Sequence, residues 1–408
     1  HSMKLSDLDI IVVGNPPPGF GGRTFIFVKV KTDCGITGWG EVYAATVGVA
    51  AMEAVIRDVF TRHMEGEAPD RIELMFRRVH SAGFSQRPDP TVMGAYSGIE
   101  MACWDIVGKA LDRPVHALLG GRVQDRLRAY SYLYPDPGED AATFYASPVR
   151  AAERAADLVG RGLTAVKFDP AGPYTIMGGH QPSLADLERS EAFCREVRSA
   201  VGHRADLLFG THGQFTPSGA IRLARRIEAY DPLWFEEPCP PDLTSDMVSV
   251  AQATRVPIAL GERLTTKYEF AQALRSGATS ILQPALGRVG GIWEAKKIAA
   301  LAEGFGAQIA PHLYAGPIEW AANIQFGLTC PNFLIAESIG LGGGFHDRLL
   351  KTPIRIEAGY IVPPDAPGLG VELNEDVARA HPWTGDALHL EMSAEPKQYG
   401  DEPPFAGG

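Results

Sequence analysis

From Leu127 onward the chain alternates short apolar runs with helical stretches, and this alternation restricts the possible folds more than any other feature. LRAYSYL (127–133), LTAVKFD (163–169), ADLLFG (205–210) and LWFEE (233–237) are strand candidates. PIALGE (257–262), SILQPAL (280–286), AQIAPHL (307–313) and NFLIAES (332–338) follow. Helical candidates such as GAIRLARRIEAY (219–230) and GIWEAKKIAALAEG (291–304) lie between them. Eight βα-like units in roughly 215 residues predict a closed parallel α/β barrel. An open doubly wound sheet is the alternative, but no GxGxxG follows a strand to support a dinucleotide fold.

The N-terminal part follows a different rule. DIIVVG, TFIFVKVKT and ITGWGEVY are β-rich runs between Leu8 and Tyr43, split by the loop PPPGFGG. AAMEAVIRDVFTRHM, RIELMFRRVHSA and AYSGIEMACWDIVGKAL then read as helices at 50–64, 71–82 and 95–111. A small sheet followed by helices predicts an α+β domain over residues 3–125, ahead of a barrel over 126–345. The polar, proline-rich segment 346–408 is expected to return to the smaller domain. The stretch 171–191 is long for a βα loop, and such loops at strand C-termini carry substrate contacts in barrels.

Hydrophobic residues are 45% of the 408, enough for a large core and too many for a disordered chain. With 49 acidic against 38 basic residues the formal charge is -11. Nucleic acid and anionic membrane surfaces are therefore unsuitable partners, and an anionic substrate needs the field reversed locally by a metal or a lysine. No apolar run approaches the ~20 residues of a membrane span. The start HSMKLSDLDI lacks the pattern of a signal peptide; His1 and Ser2, ahead of Met3, are set aside. Cys34, Cys103, Cys194, Cys239 and Cys330 are widely spaced without a CxxC pair, which predicts reduced thiols. A cytoplasmic protein is the expectation.

Charged residues close several of the strand candidates. Lys167 and Asp169 end the second, Glu236 the fourth, Glu262 the fifth, His312 the seventh and Glu337 the eighth. Period-two alternation places Lys167 with Asp169 on one face, Trp234 with Glu236, and Leu260 with Glu262. Two inward carboxylates on adjacent strands repel unless a cation joins them. Glu236 and Glu262 are thus candidate ligands of a divalent ion, and hard carboxylate oxygens suit Mg²⁺. Glu237 would turn to the wall and orient a neighbour. The third ligand is open, because Gly210, 26 residues before Glu236, has no side chain. Asp169 is preferred and His212 is the alternative, with room left by Gly210; water or substrate oxygens alone are the third possibility. His312 at the barrel rim is a candidate proton carrier. Lys167 could neutralise a bound carboxylate, or pair with Asp169 or Glu236. Glu337, if protonated, could hydrogen-bond an oxygen on which charge develops; a structural ion pair is its other reading.

SGIEMACWDIVGKAL, AVKFD, FGTHGQFTP, LWFEEP, LGERL, LQPALGRVGGI, APHLYAGPIEW and LIAES together resemble the enolase superfamily, in its mandelate racemase-like branch. The likeness runs to GLGVELNEDV and looks strongest to the galactonate- and mannonate-type sugar-acid dehydratases. It implies an N-terminal α+β capping domain over a modified TIM barrel, (β/α)7β-like. It implies Glu236 and Glu262 as metal carboxylates, and His312, Glu337, His212 and Lys167 as catalytic groups. Three positions depart from the pattern: the first metal aspartate is Gly210, the second strand-two lysine is Asp169, and the aspartate pairing with the strand-seven histidine is Ala285. Loss of one acid at Gly210 and gain of another at Asp169 suggests a relocated ligand.

The reaction implied is removal of the proton α to a carboxylate, followed by β-elimination of water from a sugar acid. Its anionic intermediate needs preorganised positive charge, from Mg²⁺ and Lys167. His312 would take the proton, and His212, if not a ligand, would protonate the leaving hydroxyl. A cycloisomerase of an anhydro or lactone sugar acid is the alternative, and a non-catalytic sugar-acid-binding protein with a degraded metal site is a third. A homo-oligomer is implied by the likeness alone.

Overall fold

The structure, a computed structural model, describes residues 3–44 and 46–400. His1, Ser2 and residues 401–408 of the last segment lie outside them. Strands β1 (Leu5–Gly14), β2 (Thr24–Thr32) and β3 (Thr37–Val42) form an antiparallel meander with β2 in the middle. Helices Val49–His63, Ile72–Ser81 and Pro90–Leu111 complete the capping domain. The last begins five residues before the apolar pattern at Ala95, because Asp89 caps it and Pro90 opens it. The cap accepts from Thr91 N and Val92 N. This helix lies almost backbone to backbone on β3: a Cβ at Gly40 would sit 1.7 Å from Gly98 O.

The eight strand candidates all form strands. They are β4 (Leu127–Tyr132), β5 (Ala165–Phe168), β6 (Asp206–Phe209), β7 (Trp234–Glu236), β8 (Ile258–Leu260), β9 (Ile281–Leu282), β10 (Gln308–Ile309) and β11 (Ala336–Ser338). Neighbours from β4 to β10 pair in parallel in chain order, and β11 pairs with β4. A parallel bridge between Ile309 and Phe333 joins β10 to the chain just ahead of β11 and closes the ring. Helices of eight or more residues follow each strand from β4 to β10, from Pro148–Gly160 to Pro317–Gly327. After β11 the next helix is the short Phe345–Arg348. The architecture is therefore a (β/α)7β barrel under an α+β cap, as expected. The later strands β12 (Arg355–Glu357) and β13 (Tyr360–Val362) form a hairpin that pairs antiparallel with β4.

The barrel interior is a separate apolar cluster with one residue from each strand or its flank: Tyr130, Ala165, Leu208, Trp234, Ala259, Ile281, Ala310 and Ile335. Such a filled layer makes the barrel a packed core, closed below and open to chemistry only at its C-terminal rim. Glu41 and Glu100 lock the cap onto the barrel. Glu41 accepts from Gly316 N (2.6 Å) and Glu319 N (3.0 Å) at one barrel-helix N-terminus. Glu100 accepts from Ile292 N and Trp293 N, both at 2.9 Å, at another. Carboxylates at helix N-termini meet both the free N–H groups and the positive dipole end.

Candidate metal centre and active site

One step of strand alternation above the interior layer lies the rim. Two residues beyond the layer are Tyr132, Lys167, Gly210, Glu236, Gln283, His312 and Glu337. All of these except the bare Gly210 turn their side chains into the mouth, because their strands keep regular pleat. Glu262 is different. Its strand turns Ala259 inward, whereas Leu260 packs in the outer core, so the expectation that Leu260 and Glu262 share a face does not hold. Gly261, at φ +140°, resets the alternation and swings Glu262 inward. A Cβ at Gly261 would lie 2.7 Å from the Phe270 ring and 2.9 Å from Gln283 N.

At the centre stands a buried charge network. Lys167, 1% exposed, lies 2.7 Å from Glu236 Oε1 and 2.9 Å from Oε2, with Glu337 Oε2 at 3.8 Å. Gln283 Nε2 donates to Glu236 Oε1 at 2.7 Å. Burial pushes the Glu236 carboxyl up to about 7 against the pull of Lys167. Burial also disfavours the Lys167 cation, but Glu236, Glu337 and Glu262 outweigh it and hold the ammonium above its ordinary value. A buried lysine held by three acids is fixed in its charged form. The bare Gly210 makes this possible, since a Cβ there would lie 3.1 Å from Lys167 Cε and 3.2 Å from Tyr132 Oη.

Glu262 is the second hub. His312 Nε2 approaches its Oε2 at 2.9 Å, and His212 Nε2 its Oε1 at 3.9 Å. Burial alone would push the Glu262 carboxyl up, but the two imidazoles overcome it and hold Glu262 well below the usual carboxylate range. Both histidines respond in kind. Burial lowers them, yet Glu262 leads the opposing charges, raising His312 and bringing His212 to about 9.

Asp169, expected as the third ligand, points elsewhere. Its Oδ2 lies 2.8 Å from His212 Nδ1, an ion-pair contact in which the N–H is not aimed squarely at the oxygen. The group of donors that converges is His212, Glu236 and Glu262, with ligand atoms all within 4.8 Å of one another. Asp169 stands behind His212 because the chain leaves β5 at Phe168, while His212 continues past β6 toward the axis. Glu237, turned to the wall as expected, receives Arg263 at 2.6 Å. Arg263 also donates to His212 O at 2.7 Å, so the histidine is steadied from its backbone as well.

The donor set fits a divalent cation. Donors about 2.1 Å from one octahedral ion lie about 3.0 Å apart in cis and about 4.2 Å apart in trans, and the three ligand atoms already lie within 4.8 Å of one another. Glu262 Oε1 is buried and has no hydrogen-bond partner among the described residues, as an oxygen reserved for an ion would be. Gly210 therefore does not mark a degraded site. Tyr132 and Gln283, uncharged at neutral pH, carry no charge to mark their strand ends, though the same two-residue step places them at the rim. Above the centre, Tyr174 lays its ring 4.8 Å from that of His212. Its segment is tied to the C-terminal stretch by Ile176 N to Ser393 O (3.0 Å) and Ser393 N to Tyr174 O (3.1 Å).

Residues 150–377 match the family model described as enolase C-terminal domain-like, and residues 19–120 match the mandelate racemase/muconate lactonizing enzyme N-terminal domain. The chain belongs to the mandelate racemase/muconate lactonizing enzyme family. Within this family it is 35% identical to a D-galactonate dehydratase of Ralstonia pickettii, over 86% of this chain and 89% of that one. It is 33% identical to a D-xylonate dehydratase of Haloferax volcanii, over 90% and 88%. A solved mandelate racemase/muconate lactonizing enzyme from Sulfitobacter sp. superposes with a TM-score of 0.96 at 62% identity, covering 98% of this chain and all of that one. Family membership and the buried His/Glu/Glu centre together make the protein a metal-assisted acid–base enzyme of the enolase superfamily. No helix among the described residues is long and apolar enough to cross a membrane.

Proposed function

We propose that this enzyme is a sugar-acid dehydratase that removes the proton α to a carboxylate and expels the β-hydroxyl as water. The observation that carries the proposal is the convergence of His212, Glu236 and Glu262 beside the imidazole of His312. The similarity to dehydratases of galactonate and xylonate supports a polyhydroxylated acid as substrate.

His212 Nε2, Glu236 and Glu262 are the proposed ligands, with Asp169 as the acid that fixes the His212 tautomer. Mg²⁺ is the proposed ion for the two hard carboxylates; the imidazole nitrogen widens the choice toward other first-row ions. When bound, the ion supplies the positive charge that makes a carbon-bound proton α to a carboxylate removable. Lys167, clamped by Glu236 and facing Glu337, adds a second fixed positive charge for the substrate carboxylate. Glu337, whose Oε1 accepts from Leu313 N at 2.8 Å, borders the same space. His312 Nε2 takes the α proton and gives it to the departing hydroxyl. One imidazole thus closes the proton balance, leaving water and an enol that tautomerises to a 2-keto-3-deoxy acid. His212 is then committed to the ion rather than to the leaving group.

Incubation with a panel of aldonates, with and without added Mg²⁺, tests the proposal through the keto product. A metal-dependent 2-keto-3-deoxy acid from one panel member is the expected result; consumption of a lactone without a new ketone would mean cycloisomerisation instead. A cytoplasmic homo-oligomer is proposed on the family resemblance, and sedimentation of the pure protein checks its assembly.

A further inference from the structure

Arg288, 7% exposed, is the most buried arginine among the described residues. It stands in the turn between β9 and helix Gly291–Gly304, on the C-terminal face of the barrel. Its Nη1 donates to the backbone oxygen of Glu262 at 2.8 Å. The guanidinium lies over the Tyr43 ring, 4.3 Å from the centroid. Nε and Nη2 have no hydrogen-bond partner among the described residues, and no carboxylate oxygen of those residues lies within 4.0 Å of the group. Elsewhere the chain closes this same edge. Arg150 presents Nε and Nη2 to the two oxygens of Glu139 at 2.7 and 2.9 Å, and Arg263 presents them to Glu237 at 2.9 and 2.6 Å.

A buried cation without a counter-ion is costly, because nothing replaces the water it has lost. The stack on Tyr43 serves the face of the guanidinium and leaves its edge open. The neighbouring acids do not close it. The Glu262 carboxylate is turned to His312 and His212, and the Glu319 carboxyl rests against Gly287, where a Cβ would lie 1.8 Å from its Oε1. The position of Arg288 points to what could. The Tyr43 ring that carries it also meets the His312 ring edge-on, with centroids 6.3 Å apart, so Arg288 borders the reacting side of the mouth. Lys167 lies across from it: β5, which carries Lys167, and β9, which leads to Arg288, are four strands apart in the closed ring of eight. The donors of His212, Glu236 and Glu262 stand between them. Of these two fixed cations, Lys167 is neutralised by Glu236 and Arg288 by nothing in the fold.

We propose that Arg288 is a specificity-determining residue that receives a second carboxylate, at the far end of the substrate from the carbon that loses its proton. The Nε–Nη2 edge fits a carboxylate through two parallel hydrogen bonds, whereas the terminal hydroxymethyl group of an aldonate brings no charge. The substrate is then an aldarate, a sugar acid oxidised at both ends; this assignment rests on the sugar-acid dehydratase reading and narrows it. Galactarate and galactonate differ only at C-6, and xylarate and xylonate only at C-5, so each pair isolates the second carboxylate. Calorimetric titration of Mg²⁺-loaded His312→Asn reads binding without turnover. One aldarate should bind about tenfold or more tighter than its aldonate, and steady-state kinetics of the wild type should show the same order in kcat/KM. Adding Arg288→Met should erase the difference, and Arg288→Gln serves the same purpose should the Met variant fail to fold. Arg288→Lys, which keeps the charge without the fork, should recover part of it. Equal affinity within both pairs, absence of binding included, or a preference that persists in Arg288→Met would overturn the proposal. A preference that depends on Arg288, in an enzyme that releases no keto acid from any aldarate or aldonate, would uphold the subsite and refute the dehydratase reading.

Discussion

Asp169 illustrates how far a residue's role depends on two or three side-chain torsions. Its position beside Lys167 was legible from strand alternation, but the turn of its carboxylate onto His212 Nδ1 was not. His212 lies beyond the end of β6, where no period governs its direction. By contrast, Lys167, Glu236, His312 and Glu337 sit two residues past an interior side chain and could be placed by counting. The geometry separates a ligand from its support. Asp169→Asn should weaken binding of Mg²⁺ or Mn²⁺ about ten- to a hundredfold, the usual effect of losing an acid behind a metal-bound histidine. His212→Ala should weaken it further, and calorimetric titration of the metal-free variants measures both. Equal affinity in Asp169→Asn and wild type would mean that Asp169 does not orient the ligand.

Among the elements, β8 shows why a correct strand can still mislead. PIALGE has the length and composition of a buried strand, and a strand forms there. Its face could not be read from the residues, because Gly261 breaks the alternation in a conformation that side chains rarely adopt. The shortest ladders, β9 and β10, have two residues each and were visible only as apolar runs between helices. Gly261→Ala combines positive φ with a clash against Gln283 N and Phe270. It should cost about 1–3 kcal/mol of stability and, by turning Glu262 away, remove most of the metal affinity. Thermal unfolding and metal titration of the same preparation check the two effects. Retained affinity in a destabilised variant would show that Gly261 serves the fold alone.

For the whole molecule, the capping domain is held on the barrel partly by buried acids whose charge is unfavourable. Burial, reinforced by Glu319, pushes the Glu41 carboxyl up to about 8, and Glu319 itself stands at about 7. Unfolded, both titrate near about 4.3. The folded protein therefore binds more protons between those values, and this contribution to stability, complete below about pH 4, is lost as pH rises through about 7 to 8. The thermal midpoint is expected to fall between pH 6 and pH 9. Glu319→Gln should flatten that decline and add on the order of 1 kcal/mol at pH 8 by removing a like charge. A midpoint equally pH-dependent in the variant would place the titrating groups elsewhere. The two-layer plan was apparent from the change of pattern near Leu127, but this docking was not, since Glu41 and Glu319 are 278 residues apart and neither stands out in its segment.

The chemistry depends on one ion making one carbon-bound hydrogen removable at His312. The direct measurement is deuterium incorporation in heavy water, read at the α carbon of recovered sugar acids and at C-3 of any keto product. The expected result is incorporation by the Mg²⁺-loaded enzyme that vanishes on chelation, returns on reloading and is absent in His312→Asn. Exchange that persists after the ion is removed, or that survives loss of His312, would contradict it.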